Sequence, residues 1–306
     1  MARTAVIVPC YNSERYLRPA IESALAQEQQ DCEILCVDNG SSDSTLAILE
    51  SYGDRIRVIH ETRRGAPCAR NAGIRQGDSE FVAFLDSDDY WEPEKLARQS
   101  EVMRSRPEVG LVATDFWVRT AGSRGERTLV RCPRSDHLCA LFWGCCLHTS
   151  TLLMRREVLD EVGLLDESLP MSDDYDLLLR IAARYPIATV PAPLSTYRLH
   201  EGSLSLRSFE QTIACTDRVI TSFCQRHPGF RRLAPRRRAQ ERVRVARLLL
   251  TRNRVLAARL NWEALRLDPG QWQAGLGLGL CALPAPYGPL RKCSRLLSGL
   301  RAEACR

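Results

Sequence analysis

The chain has 306 residues, a mass of 34.5 kDa and a hydrophobic fraction of 44%, enough apolar material for one large domain or two smaller ones, which excludes wholesale disorder. No stretch approaches the ~20 consecutive apolar residues of a membrane-crossing helix, and Met1–Cys10 does not read as a secretory leader, because Arg3 leads into a short run ending at Pro9. The net charge of +6 is unevenly shared: residues 1–206 sum to −8 and residues 207–306 to +14, which predicts two units with different surroundings.

In chain order, Thr4–Val8 is a short continuous apolar run that predicts a buried strand. Ser13–Gln27 carries Tyr16, Leu17, Ile21 and Leu25 at helical spacing. Glu33–Val37 predicts a second strand, followed by an Asn39-Gly40 turn and a helix from Asp43, where Ser41, Ser42 and Asp43 suit a cap. Ile56–Ile59 is a third strand, Ala66–Arg75 a helix and Phe81–Leu85 a fourth strand. A helix is expected over Pro93–Arg104 and a strand over Val109–Val118, and the mixed-charge stretch Gly122–Asp136 reads as a mobile loop. Thr149–Met154 is β-leaning, Arg155–Val162 helical, and Ser172 precedes a helix over Asp173–Arg184. Beyond Ser205 the strand signals stop. Continuous apolar strands joined by helices predict an α/β fold, a Rossmann-like, mostly parallel sheet flanked by helices, with an appended C-terminal helical region.

In such sheets ligands bind at the carboxyl ends of the strands. The segments there are Pro9-Cys10-Tyr11-Asn12, Asp38 and Asp86-Ser87-Asp88-Asp89. Clustered carboxylates at a strand end make a hard-oxygen site suited to Mg²⁺ or Mn²⁺. The plainer role for the same acids is to favour the positive end of the helix that starts near Pro93.

Four segments, Val6–Leu17, Val37–Thr45, Arg64–Gly73 and Phe81–Trp91, follow in this order and spacing. Together they resemble the family 2 glycosyltransferases, which have the GT-A fold. The resemblance continues through Leu165-Asp166-Glu167, Ser172–Arg180 and Tyr197–Ser205, and it covers roughly residues 4–205. It implies a catalytic domain over residues 1–205 and a separate basic helical region over 206–306. The implied activity is inverting, metal-dependent transfer of a sugar from a nucleotide-diphosphate donor, a UDP-sugar, to a hydroxyl of a glycan or lipid-linked acceptor. Cell-surface polysaccharide or glycoconjugate synthesis is the implied setting.

The resemblance also assigns residues. Pro9, Tyr11 and Asn12 would line the nucleotide pocket, and Asp38 would hydrogen-bond the base. Arg70 and Asn71 would sit near the nucleotide or brace its loop, and Asp86 and Ser87 would face the nucleotide sugar. Asp88 would be the main ligand of Mn²⁺ or Mg²⁺, with Asp86 beside it, Asp89 in support and His200 near the diphosphate or the metal. Asp174, or its neighbour Asp173, would be the general base that takes the acceptor hydroxyl's proton. Asp176 is expected to pair with Arg180 at i+4. Cys10 and Asp173 depart from the family's usual hydroxyl residue and Glu.

A nucleotidyltransferase of related fold is the alternative enzyme, but it normally has a Gly-rich basic loop after strand one, unlike Pro9–Asn12. A non-catalytic, membrane-docking scaffold would have no use for the acidic set at 38, 86, 88 and 174. Thirteen cysteines without a CxxC pair read as reduced thiols in a cytoplasmic protein. Arg231–Arg259 holds eleven arginines and one acid, the pattern of a basic amphipathic region. Such a region suits either peripheral docking on the inner face of the plasma membrane or a solvated helical face. Nucleic acid is not expected as a partner, because stacking aromatics are scarce. Leu256–Pro269 resembles one tetratricopeptide helix, and Gly275–Leu290 is an apolar stretch, broken by Gly and Pro, that could dip into an interface.

Overall fold

The computed structural model describes residues 4–29, 31–120, 127–203 and 208–282. The chain forms two compact units: Met1–Leu141 with Cys145–Arg207, and Phe142–Gly144 with Ser208–Arg306. Part of the expected interface segment, residues 283–290, lies outside the described residues.

The first unit is built on a nine-stranded sheet of order β3-β2-β1-β4-β8-β6-β9-β5, with β7 paired to β6. Its strands are β1 (Thr4–Cys10), β2 (Cys32–Asp38), β3 (Arg57–His60), β4 (Phe81–Phe84), β5 (Tyr90–Trp91), β6 (Leu111–Thr120), β7 (Arg127–Val130), β8 (Leu153–Arg155) and β9 (Ile187–Leu199). Strands β3, β2, β1 and β4 are parallel. From β8 onward the sheet is mixed, because β8 runs antiparallel to both β4 and β6 while β9 runs parallel to β6. The parallel character is therefore confined to one half of the sheet and to the β6–β9 pair.

Seven helices accompany the sheet: α1 (Leu17–Leu25), α2 (Thr45–Glu50), α3 (Ala66–Gln76), α4 (Lys95–Ser105), α5 (His137–Trp143), α6 (Arg156–Val162) and α7 (Asp173–Ala182). The run Ala5–Val8 is fully buried because both faces of β1 are covered. Val6 and Val8 belong to the cluster with Leu17, Ile21, Leu96 and Met103. Ile7, which alternates to the opposite face, meets α3 at Gly73, where an added Cβ would lie 2.5 Å from Ile7 Cγ2.

Two expectations are corrected. The stretch Gly122–Asp136 is not a loop throughout: Arg127–Val130 forms β7, pairing antiparallel with Phe116–Arg119 of β6. The sequence pattern also missed β9, which contains Pro191 and Pro193. A register shift against Thr114–Phe116 accommodates these prolines, which cannot donate to a ladder.

The second unit is helical, with α8 (Phe209–Arg226), α9 (Ala234–Leu249), α10 (Arg254–Leu267) and α11 (Trp272–Ala282). One small core joins Ile213, Val245, Leu249, Ala257 and Leu260, and another joins Ala239, Val243, Ala264 and Ala274. The eleven described cysteines are all free thiols.

Candidate active site

The parallel half of the sheet ends in a polar rim. Asp38 is the last residue of β2 and lies opposite Cys10 of β1. Its carboxylate accepts the backbone N–H groups of Gly40 (3.2 Å) and Ser41 (3.3 Å). Pro9 is half-buried at the end of β1, and Tyr11 follows it with 48% of its surface exposed and the Arg64 guanidinium 4.8 Å above its ring. Asn12 has a left-handed backbone (φ 47°), and its Oδ1 accepts the Ser42 N–H at 2.8 Å. Ser87 is 2.7 Å, Oγ to Oγ, from Ser13. The residues expected at a nucleotide site, from the ends of β1 and β2 and the β4 turn, are thus linked through backbone and hydroxyl bonds. Asp43 accepts the Thr45 N–H at 3.0 Å just before α2, but it is not the cap expected of it: the N-cap is Ser44, which makes no side-chain cap bond.

The acidic turn after β4 is tight, with the Asp89 N–H donating to the Asp86 carbonyl at 2.9 Å. Asp89 is fully buried and fully engaged: Oδ2 accepts from His148 Nε2 and Ser150 Oγ, both at 2.6 Å, and Oδ1 accepts the Arg198 N–H at 3.0 Å. Asp88 accepts from His200 Nε2 at 2.9 Å. The His200 ring is oriented by the Gly202 N–H, which donates to Nδ1 at 3.1 Å, so Nε2 carries the proton and holds Asp88. Burial and repulsion from Asp89 and Asp86 push the Asp88 carboxyl up to about 6, against the pull of His200.

Arg70, 6% exposed on α3, bridges two acids. One terminal nitrogen lies 2.6 Å from Asp86 Oδ1 and the other 2.9 Å from Asp173 Oδ2. Burial works to raise the Asp86 pKa, but Arg70 and then His148 hold it below the usual carboxylate value. Asp173 differs: burial outweighs Arg70, and with Asp174 and Asp86 also opposing ionisation its carboxyl rises to about 6. Asp174, the next residue of α7, is half-buried. It accepts only from neutral donors, the Tyr175 N–H at 2.8 Å and the Thr149 hydroxyl at 3.2 Å. Ser172, at the N-cap of α7, has φ 63°, strain of the kind that recurs around functional sites. Asp176 pairs with Arg180 at 2.8 Å, the structural role expected of it.

Asn71 faces a different task from its neighbour Arg70. Its amide donates to the Leu165 carbonyl and to Glu167 Oε1, both at 2.9 Å, and accepts the Leu165 N–H at 3.1 Å. It braces the Leu165–Glu167 loop.

The sequence reading did not identify His148, Thr149, Ser150 or Arg198. His148, Thr149 and Ser150 are consecutive, and they hold Asp89, Asp174 and again Asp89; the Ser150 hydroxyl also accepts the Asp86 N–H at 3.1 Å. Burial disfavours the charged His148 ring, but Asp89 and then Asp86 and Asp174 overcome this and raise its pKa to about 9.

For a divalent cation, Asp86, Asp89 and His148 bring ligand atoms within 4.8 Å of one another. In the structure His148 and Asp89 are hydrogen-bonded to each other, and Asp89 also accepts from Ser150 and Arg198. Asp86 and Asp88 offer further hard-oxygen donors on the same turn. This donor chemistry fits Mg²⁺ or Mn²⁺. A separate cavity of about 490 Å³, lined by residues that include Arg106, Arg134, His137 and Tyr185, shares no residue with this rim.

Comparison with known proteins gives the context for this site. The profile described as glycosyl transferase family 2 matches residues 5–163, and that of glycosyltransferase-like family 2 matches residues 140–234. An uncharacterized glycosyltransferase of Rickettsia felis is 31% identical over 205 residues, covering 64% of this chain and 34% of its own length. Another, from Nostoc sp., is 33% identical over 216 residues, 65% of each chain. The chain thus spans from about a third to two-thirds of these curated relatives. The Escherichia coli UDP-Glc:alpha-D-GlcNAc-diphosphoundecaprenol beta-1,3-glucosyltransferase WfaP is 28% identical, over 70% of this chain and 84% of its own.

Among solved structures, Staphylococcus aureus TarS 1–349 in complex with UDP-GlcNAc superposes with a TM-score of 0.60 at 18% identity, covering 90% of this chain and 89% of that one. The mannosyltransferase PcManGT of Pyrobaculum calidifontis, in complex with GDP-Man and Mn²⁺, gives 0.59 at 18%, covering 97% and 79%. The chain has the fold of these enzymes, a GT-A sheet with C-terminal helices.

Proposed function

Because the chain belongs to glycosyl transferase family 2, whose profile spans more than half of it, we propose that it is an inverting, metal-dependent glycosyltransferase. It would move a sugar from a UDP-sugar to a hydroxyl of a lipid-diphosphate-linked saccharide in cell-surface glycan synthesis. The catalytic part is residues 1–205, and residues 206–306 form an appended basic region. The observation that carries this reading is the division of the acids into two groups linked by Arg70 and by His148–Ser150. Asp86, Asp88 and Asp89 form a crowded anionic group, and Asp174 stands beside it, hydrogen-bonded to the Thr149 hydroxyl and the Tyr175 N–H and acting on Arg70 and His148 only through space.

Asp88 and Asp86 would hold Mn²⁺ or Mg²⁺, which when bound offsets the charge of the departing diphosphate. Arg70 keeps Asp86 ionised, and His200 orients Asp88. Asp38 has used part of its acceptor capacity on Gly40 and Ser41 and keeps lone pairs for a base N–H. Tyr11 and Asn12 border the same pocket. Asp174 takes the acceptor hydroxyl's proton as that oxygen attacks the anomeric carbon, so a single displacement inverts the centre. Asp173 is a less suitable base because one of its oxygens is committed to Arg70. The complexes of TarS with UDP-GlcNAc and of PcManGT with GDP-Man and Mn²⁺ support a nucleotide-sugar donor and a divalent ion. WfaP's diphosphoundecaprenol-linked acceptor supports the lipid-linked one.

A thermal-shift series with UDP, UDP-glucose, UDP-GlcNAc, GDP-mannose and nucleoside triphosphates, each with Mn²⁺ or EDTA, tests the donor side. Metal-dependent stabilisation by a nucleotide-diphosphate sugar is expected, growing with its concentration. Stabilisation by triphosphates alone would instead support a nucleotidyltransferase.

A further inference from the structure

The arginine-rich run 231–259 is not a free cationic face. Arg237 is buried against Glu241 at 3.1 Å, and Arg244 shares that acid. Arg242 pairs with Asp217 (2.7 Å) and Glu263 (3.2 Å), Arg238 lies 3.7 Å from Asp217, and Arg259 pairs with Glu263 at 2.9 Å. Arg231 and Arg254 donate to the carbonyls of Cys224 and Leu280, and Arg247 to the Gln273 side chain. Seven of the eleven arginines are therefore largely spent inside the helical unit, whereas the Arg259 side chain stays 69% exposed beside its pair.

The outward surface lies elsewhere. On α10 the exposed positions are Val255, Arg259, Trp262 and Arg266, spaced i, i+4, i+7, i+11, so they form one stripe. Val255 is 83% exposed and Trp262 58%. On α11 the exposed positions are Trp272, Gly275, Leu276 and Gly279, and the helix has no charged residue. Trp272 is 60% and Leu276 59% exposed. The two helices pack closely, since a Cβ at Gly277 would lie 2.5 Å from the Asn261 side chain. Two exposed tryptophans on adjoining helices are costly to leave in water, and indole favours the boundary between an apolar phase and water.

We propose that the outer faces of α10 and α11 dock in the plane of an anionic lipid bilayer, with Trp262, Trp272 and Leu276 at the acyl boundary and Arg259 and Arg266 among the headgroups. Charge decides for lipid over the other occupants. The exposed positions of this face carry Arg259 and Arg266 and no acid, so a second copy would bring like charge to it. Residues 283–306 carry five basic residues and one acid, so they too are poorly matched. No described helix is long and apolar enough to cross a membrane, which fits in-plane binding. The inference is independent of the chemistry assigned to the acidic rim, since vesicle binding and donor binding are separate readouts.

The test is sedimentation of the full chain with vesicles of phosphatidylcholine, with and without phosphatidylglycerol, together with quenching of tryptophan emission by brominated lipid. Binding to the anionic vesicles that weakens with salt is expected, with emission quenched. Trp262→Ser with Trp272→Ser should lower the partition coefficient by about tenfold or more while leaving nucleotide-sugar stabilisation unchanged. Arg259→Gln with Arg266→Gln should weaken binding at low salt and keep the quenching of whatever remains bound. Equal binding to neutral and anionic vesicles, or unchanged partition of the tryptophan pair variant, would overturn the proposal. So would a dimer in light scattering that only the tryptophan variant dissolves.

Discussion

Arg70 shows how one residue sets the protonation of several others. Its guanidinium holds Asp86 ionised, yet it does not outweigh burial at Asp173, and the difference separates two carboxylates bound to the same cation. His148 acts on the same acids through its pairing with Asp89. Its folded pKa of about 9 lies above the ordinary histidine value of about 6.5, so its pairing with Asp89 contributes stability in full below about pH 6.5 and loses it as pH rises through about 9. His148→Gln keeps a neutral donor for Asp89 and removes the charge. Its melting temperature should lie a few degrees below that of the wild type at pH 6–7, with the gap closing above about pH 9. A gap that stays constant across that range would mean the ring is not charged. Such a residue is hard to find in a sequence because its partner lies 59 positions away.

At the scale of elements, β1, β2, β4 and the acids after them were legible because a continuous apolar run followed by polar residues is the signature of a parallel strand reaching the rim. The same rule failed at β8. That strand runs antiparallel to β4, so the residues that reach the rim are those before it, His148–Thr151. β7 was hidden by charge: Arg127–Val130 are mostly exposed, and pairing with β6 rather than burial makes them a strand. The i,i+4 pair Asp176–Arg180 could be read, whereas the arginine pairs to Asp217 could not, because they span separate helices. Packing of α3 on β1 gives a direct check. In Gly73→Ala the new methyl would meet the fully buried Ile7 at 2.5 Å. Overpacking of roughly 1–3 kcal/mol should outweigh the ~1 kcal/mol gained in helix propensity, lowering the melting temperature. A stabilised variant would show that α3 can shift away from the sheet.

Across the whole molecule, charge is sorted by task. The acidic excess of residues 1–206 includes the carboxylates of the rim, which Arg70, His148 and Arg198 contact from within the same unit. Within the basic second unit, eight arginines of the run 231–259 pair with acids or donate to polar groups of neighbouring helices, and Arg259 and Arg266 share an outward stripe with Trp262. On the proposed reading, an enzyme whose acceptor carries a lipid diphosphate has use for both: an anionic pocket that takes a metal-bound donor, and a basic, aromatic edge for the membrane holding the acceptor. The division of labour between the acids is the central claim, and a paired assay of donor binding and sugar transfer tests it most directly. Asp174→Asn should retain metal-dependent UDP-sugar binding within a few-fold while transfer falls by about 10²-fold or more, and Asp88→Ala should lose the binding itself. Transfer at the wild-type rate in Asp174→Asn, or equal loss of donor binding in both variants, would contradict the account.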